Sequence, residues 1–154
     1  MVRVLPCHGR GCGFESRRSR HKMPLTKVKI DKLLNSEIAY LATADLKGNP
    51  HVKPVWFVYH KNKIWFETHL PTKAFRNIKV NNKIMMCFGG KETYLIWGKV
   101  KWYTENKAPV PFRKMLWKKY GENIDDSYIT EKTRIFEVVI EKQTSWHYAD
   151  GNWE

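Results

Sequence analysis

The chain has 154 residues, of which 42% are hydrophobic and 14% aromatic. These apolar side chains suffice for the core of one folded domain, so a chain that is disordered over its whole length is excluded. Its formal net charge is +13, to which the first 22 residues contribute +5 and the remaining residues +8. Such an excess suits a phosphorylated ligand, a nucleic acid or an acidic membrane, and equally a plain solvated surface. No apolar run reaches the roughly 18 residues of a membrane-spanning helix, so we expect no membrane partner.

Residues 1–22 are rich in Gly and Arg and show neither helical nor strand periodicity. We expect this segment to be disordered, or to be a spurious extension translated from upstream of a true start at Met23. Residues 23–154 contain no linker and are predicted to form one domain.

The three cysteines, Cys7, Cys12 and Cys87, cannot form an even disulfide framework, which favours a reduced, cytoplasmic protein. Cys7, His8 and Cys12 do not have a recognised zinc spacing, and the other histidines have no acidic neighbours that complete a metal set. We therefore predict no metal site.

The sequence pattern from residue 26 to residue 59 predicts a helix followed by two strands. Apolar residues at helical spacing predict a helix over residues 26–35 with Thr26 as N-cap. A β-prone run at 38–44 is closed by a turn at 45–50, and a second strand is predicted at 51–59. Because Pro54 removes a ladder donor from this second strand, it should be an edge strand or carry a bulge.

A third strand is predicted at 64–68, and Thr72 is the expected N-cap of an amphipathic helix. The side chains expected to face inward from that helix are Ala74, Phe75, Ile78 and Val80.

Further strands are predicted at 83–88 and at 93–104, the latter kinked at Gly98, with a last strand or strand pair at 134–140 and 144–148. A helix over 109–120 should end at Gly121. Its expected core face consists of Phe112, Met115, Leu116 and Trp117.

Together these elements predict a mainly β fold, a six-stranded antiparallel barrel that closes on itself and carries helices on its outside. The interior of so small a barrel fills with side chains. A ligand should therefore bind on its surface or at a contact between subunits.

The loop that leads from Thr68 to Thr72 and Lys73 is the most specific local signal. Two hydroxyls, an ammonium and the amides of a helix N-terminus are the donors that a phosphate needs. The plain alternative is that Thr72 only caps the helix and Lys73 is a solvated helix residue.

The strand half of the same region holds Pro54, Val55, Trp56 and Phe57. These residues could offer an apolar wall and backbone hydrogen bonds to a flat heteroaromatic ring, although Trp in a strand is ordinarily core. No Gly-rich dinucleotide loop is present, and no set of side chains identifies a nucleophile or a general base.

Four segments in this order carry a resemblance to a known family: ATADLKGNPHVKPVWF at 42–57, IWFET at 64–68, KAFRN at 73–77 and NKI at 82–84. The series resembles the pyridoxamine 5′-phosphate oxidase-like family of flavin and deazaflavin oxidoreductases, over roughly residues 30–146. The resemblance implies an FMN-binding split barrel and a homodimer with the cofactor at the subunit contact.

The resemblance also implies roles for individual residues. Lys53, Pro54, Val55 and Trp56 would line the flavin ring; Phe66, Glu67 and Thr68 would contact the ring or ribityl chain; Thr72 and Lys73 would hold the phosphate. Family members often carry Gly-Ser-Arg-Lys where this chain has Leu70-Pro-Thr-Lys73, without the arginine. The deazaflavin F420, with its longer tail, is therefore the alternative cofactor.

Three functions follow from these observations. The first is an FMN- or F420-dependent oxidoreductase of a small-molecule substrate, in which the cofactor carries the chemistry and no side chain need be catalytic. The second is a barrel that binds cofactor without turnover. The third is nucleic-acid binding by a basic barrel with exposed aromatic residues, a partner that the resemblance does not favour.

Overall fold

The computed structural model describes residues 22–121, 124 and 130–148, so the expectation for residues 1–21 lies outside the described part. The helices are α1 (Lys27–Leu34), α2 (Lys73–Val80) and α3 (Phe112–Tyr120), with one 3₁₀ turn at Glu105–Lys107. The strands are β1 (Lys22–Met23), β2 (Ala39–Ala44), β3 (Pro50–Val55), β4 (Phe57–His60), β5 (Lys63–His69), β6 (Lys83–Gly89), β7 (Glu92–Tyr103) and β8 (Thr133–Tyr148). Within this part, none of the helices could span a membrane.

The strands form one curled antiparallel sheet in the order β3-β2-β6-β7-β8-β5-β4, with β1 paired to the far end of β8. The expectation of six strands was wrong, because seven lie along this path. The predicted strand 51–59 divides at Trp56 into β3 and β4, which pair with different neighbours. The described residues form no ladder between β3 and β4, so the barrel is split there rather than closed.

Local chemistry accounts for several element boundaries. Thr26 and Thr72 both cap as predicted, accepting hydrogen bonds from the amides of Lys29 and Phe75. The register of β7 with β8 shifts between Trp97 and Gly98, where Glu141 is an extra residue on β8. An irregularity of the pairing thus lies at the position where the sequence predicted a kink.

Most of the predicted inward positions of α2 and α3 are buried, but Met115 is only partly buried and two residues are exposed. Val80 is 52% exposed and Trp117 is 51% exposed. The buried stripe of α3 follows a spacing of four residues (Phe112, Leu116, Tyr120), and Trp117 lies about 100° around the helix from it. Val80 lies about 200° from the buried Ile78 and so faces away from the core.

The helix predicted over 109–120 begins later, at Phe112. The two prolines that precede it keep Ala108 and Val110 out of helical geometry. Gly121 is the C-cap, but its backbone is right-handed, so it does not end the helix through a left-handed turn.

Two apolar clusters hold the fold together. The first fills the interior of the barrel with side chains from the inner faces of β2–β8, from α2 and from the end of α1. The second lies outside, where α3 packs on Val58, Trp65 and Ile135. One half of the outer sheet surface is thus covered by a helix.

The other half, formed by β3, β2, β6 and β7, carries two rows of uncharged side chains on its outer surface. We call these eight residues the apolar face: Pro54, Tyr40, Cys87 and Leu95 in one row, and Val52, Ala42, Met85 and Trp97 in the other. All eight are half-buried or exposed, and Val52 is 60% exposed. Among the described residues, no helix covers these eight side chains as α3 covers the opposite half.

Candidate functional site

The break between β3 and β4 is the centre of the candidate site. β3 is paired with β2 up to Val55, and β4 pairs with β5 from Phe57, so Trp56 belongs to neither ladder. β3 is an edge strand, as the presence of Pro54 predicted. The chain passes here from one edge of the sheet to the other.

Tyr120, the last residue of α3, holds this break in place. Its hydroxyl accepts a hydrogen bond from the Phe57 amide at 3.1 Å and lies 2.7 Å from the Glu37 carbonyl and 2.8 Å from the Phe57 carbonyl. The ring stacks on Trp56 with centroids 4.7 Å apart and planes 7° from parallel. Burial raises the pKa of Tyr120 to about 12, so the hydroxyl keeps the proton that it donates.

Lys119 reaches the same point from the neighbouring position on α3. Its Nζ donates to the Phe57 carbonyl at 2.9 Å and lies 3.8 Å from the centre of the Phe57 ring. Burial lowers the pKa of Lys119 to about 8, against a smaller opposing effect of Glu37. The backbone of Phe57 is thus held by two adjacent side chains.

A pocket of about 210 Å³ opens beside the break. Its lining contains five of the predicted cofactor-binding residues together with Ile38: Lys53, Pro54, Val55, Trp56 and Glu67. Glu67 is only 6% exposed, and with Lys53 it supplies the charged groups among otherwise apolar lining residues. The structure therefore brings the predicted strand half together.

Phe66 lies elsewhere, because successive residues of a strand face opposite sides of the sheet. Its side chain is fully buried in the barrel interior and stacks on Phe136 with ring centroids 4.9 Å apart. A contact between Phe66 and a ligand would have to come from its backbone.

The predicted phosphate loop forms a second group at the start of α2. The hydroxyls of Thr68 and Thr72 are 2.9 Å apart, and Thr72 also caps the helix through the Phe75 amide. Thr68 is 1% exposed, whereas Lys73, the first residue of the helix, is exposed. The hydroxyls thus shape the loop, and Lys73 is the cation that a ligand can reach.

The missing loop arginine has two possible substitutes in space. Arg76 is exposed, one helical turn after Lys73. Arg134 pairs with Thr68 across β5 and β8, but its guanidinium donates to the carbonyls of Glu131 and Thr133 at 2.7 and 2.9 Å. Arg76 is therefore the better candidate for a second phosphate cation.

Lys73 also lies near a carboxylate. Hydrogen bonds from Asn49 are the main cause that lowers the pKa of Asp45, and the positive charge of Lys73 contributes to that lowering. Part of the Lys73 charge is thus balanced within the chain, and an anionic ligand would compete with Asp45 for it.

Glu67 is linked to a short polar chain. Its Oε2 lies 3.5 Å from Nε2 of His69, and Nδ1 of His69 lies 3.2 Å from the Thr133 hydroxyl. Glu67 and His69 are two apart on β5 and so share a face. This arrangement places the His69 ring beside the Glu67 carboxylate. In the described part of the chain, no three His, Cys, Asp or Glu side chains are grouped as metal ligands.

Sequence reasoning missed Ile38, Arg76, Lys119 and Tyr120. Arg76 stood in the motif that carried the resemblance, and its spacing of three from Lys73 was the available signal. Tyr120 is separated from Phe57 by 63 residues, and only the folded chain brings them together.

A sequence profile described as pyridoxamine 5′-phosphate oxidase matches residues 27–147. No curated protein sequence matches the chain significantly. Solved structures do match, and at their sequence identities below 25% they show the fold alone.

Three of these structures illustrate the range. The heme storage protein HutZ of Vibrio cholerae has a TM-score of 0.67 and 16% identity, covering 81% of this chain and 98% of its own. A protein named F420 reductase has a TM-score of 0.63 and 20% identity, covering 73% and 94%. An FAD-binding protein of Mesorhizobium loti has a TM-score of 0.60 and 15% identity, covering 81% and 96%.

Proposed function

Because the chain belongs to the pyridoxamine 5′-phosphate oxidase family, we propose that it is an FMN-dependent oxidoreductase of a small-molecule substrate. The observation that carries the proposal is the pocket at the β3–β4 break, which lies one residue along β5 from the Thr68–Thr72 loop. The residues predicted to hold a ring and those predicted to hold a phosphate thus lie in the lining of this pocket and in the segment that follows Glu67 from Thr68 into α2.

The strand half fits a flavin ring. Trp56 and Pro54 give the pocket apolar surface, and β3 is an edge strand. Stacking of Trp56 on Tyr120 fixes the orientation of its indole. In this role Lys53 and Glu67 supply charges of opposite sign at the pocket, which would orient the polar edge of the ring.

The loop half fits a phosphate less completely. Lys73 and Arg76 supply two exposed cations on one face of α2, and the helix N-terminus adds its amides. Asp45 competes for Lys73, and Thr68 is buried. These features support an affinity that depends strongly on Lys73 and Arg76.

The pocket in one chain is smaller than the 300–1,000 Å³ that ligand sites commonly enclose, since it measures about 210 Å³. Pro54 belongs both to this pocket and to the apolar face. A second copy of the chain packed on the apolar face would cover the exposed side of the pocket. We therefore propose a homodimer with the cofactor at the subunit contact.

Bound FMN would supply hydride transfer to or from the substrate. The chain's own part is to hold the ring at the β3–β4 break, to hold the phosphate at α2 and, as a dimer, to exclude water from the pocket. We assign no catalytic side chain. Cys87 is a free thiol, which supports a reducing, cytoplasmic location.

Two alternatives have support of their own. The loop lacks an arginine and leaves Arg76 exposed further along α2, which favours a longer anionic tail such as that of F420. The similarity of the fold to a heme storage protein supports the second alternative, a protein that binds a cofactor without turnover.

The test is to titrate purified protein with FMN and with F420 and to record visible absorption spectra. Lys73→Ala should weaken binding of the preferred cofactor about 10-fold or more, since a charge-assisted hydrogen bond is lost. Lys114→Ala, an exposed lysine on α3, is the matched control and should change binding less than twofold. Lack of binding to both cofactors contradicts the proposal. Bound flavin that neither reduced nicotinamide nor reduced F420 can reduce would favour the carrier.

A further inference from the structure

A second pocket, of about 500 Å³, lies away from the β3–β4 break, where the chain connects α2 to β6. Pairing of β6 with β7 ends at Lys83 and Lys99, so the last four residues of β7 extend beyond the start of β6. The amide of Val100 donates to the Asn82 carbonyl at 3.1 Å. Residues 78–82 and 100–102, on the two segments that this hydrogen bond joins, line the pocket.

Trp102 gives this pocket an exposed aromatic surface. Its side chain is 46% exposed, and the guanidinium of Arg134 lies 5.8 Å from the ring centre. Phe75 contacts the same ring edge to face, with centroids 5.9 Å apart, which fixes the indole in place. Val80, 52% exposed, adds a second apolar side chain to the lining. An exposed apolar surface rimmed by polar groups is typical of a binding site.

The charges around Trp102 are positive. Lys79 and Lys101 line the pocket, and none of the described lining residues is acidic. Lys101 also pairs with Glu137 across β7 and β8, and its charge contributes to lowering the pKa of that carboxyl. Lys79 is therefore the cation with the greater share of its charge available to a ligand. Asn82, which is exposed, adds an amide that can both donate and accept.

From this combination we infer that the pocket binds a nucleoside phosphate: the base stacks on Trp102, the phosphate lies near Lys79, and Asn82 hydrogen-bonds the edge of the base. The volume is within the range of small-molecule sites. Stacking on an aromatic ring tolerates any base, so the site should select for a base joined to a phosphate rather than for one nucleotide. The pocket shares no lining residue with the one at the β3–β4 break, so this inference does not depend on the proposed cofactor.

The test measures binding of a fluorescent AMP derivative and of a fluorescent ten-residue oligothymidylate to the full chain by anisotropy. Binding of the first reveals a free nucleotide as the ligand, and binding of the second alone reveals single-stranded nucleic acid. Trp102→Leu should lower the affinity for whichever probe binds about 10-fold, as expected for loss of base stacking. Trp117→Leu removes a tryptophan of similar exposure from outside the pocket and should leave affinity within twofold.

Trp102→Phe keeps an aromatic ring and should retain most of the affinity, which separates stacking from a loss of folding. Lys79→Ala should weaken binding about 5-fold and reduce its dependence on salt, whereas Lys114→Ala should not. FMN affinity should be unchanged in Trp102→Leu. The inference is overturned if neither probe binds at millimolar concentration, or if the Trp102 and Trp117 variants weaken binding equally.

Discussion

Removing the Tyr120 hydroxyl tests whether α3 positions the candidate site. In Tyr120→Phe the Phe57 amide loses its acceptor at 3.1 Å, and no other described side chain accepts from that amide. The Phe57 carbonyl still accepts a hydrogen bond from Lys119 Nζ at 2.9 Å. At Phe57, only the buried amide is therefore left without a hydrogen-bond partner. An unsatisfied buried group costs about 1–3 kcal/mol, and we expect a loss of stability in that range.

Stability is measured by urea denaturation, with Tyr59→Phe as the control, because that hydroxyl donates to Asn62 at the exposed surface at 3.0 Å. The control should lose less than about 0.5 kcal/mol. In folded Tyr120→Phe the stacking on Trp56 remains, but the break is held by Lys119 alone, so FMN affinity should fall several-fold. A Tyr120→Phe protein as stable as the control, with unchanged FMN affinity, would refute the positioning role.

Three further predictions concern other parts of the fold. The pKa of Lys119 is about 8 in the folded protein and 10.5 ordinarily, so between these pH values the unfolded chain binds more protons than the folded one. The free energy of unfolding of wild type, measured in urea titrations, should therefore rise relative to that of Lys119→Met as the pH rises from 8 to 10.5. A difference in free energy that does not change with pH would contradict this. Gly98→Ala should cost about 1–3 kcal/mol, because the added Cβ overlaps the carbonyl of Val139, whereas Gly90→Ala, with open space, should be nearly neutral in the same assay. If the proposed homodimer forms through the apolar face, Trp97→Lys should elute as a monomer in gel filtration where wild type elutes as a dimer, and a dimeric variant would contradict this contact.

Much of the fold was predictable where the signal is local. The caps at Thr26 and Thr72 act within one helical turn, and the shift in register at Gly98 coincides with a residue that lacks a side chain. The division of the second strand was harder to see. Pro54 indicated an edge, but only the pairing of Phe57 with Phe66 shows that the chain crosses to the other edge of the sheet.

The last strand or strand pair predicted at 134–140 and 144–148 is one continuous strand of 16 residues. The polar residues between them resemble a turn in sequence, yet Lys142 and Gln143 pair with Trp97 and Ile96 of β7. Pairing along a long neighbour overrides the weak local preference of such residues for a turn.

The candidate site was predictable in the same uneven way. The strand half was found because its residues are consecutive, and the four residues from Lys53 to Trp56 line one pocket. Phe66 was assigned to the ligand from its place in a motif, although strand alternation buries it between Phe136 and the rest of the core. Tyr120 and Lys119 lie over 60 residues from Phe57, and no periodicity in the sequence indicates such a contact.

The crossing at Trp56 also bears on how the chain reaches its fold. Its two sides belong to consecutive hairpins, β2–β3 and β4–β5, whose partners are close in sequence, whereas the pairing of Ile64 with Val138 joins residues far apart. Contacts near in sequence form with little loss of chain entropy, and distant ones form late. In refolding experiments, we expect the two hairpins on either side of Trp56 to form first. Pairing of β8 with β5 should form later, in the slow step.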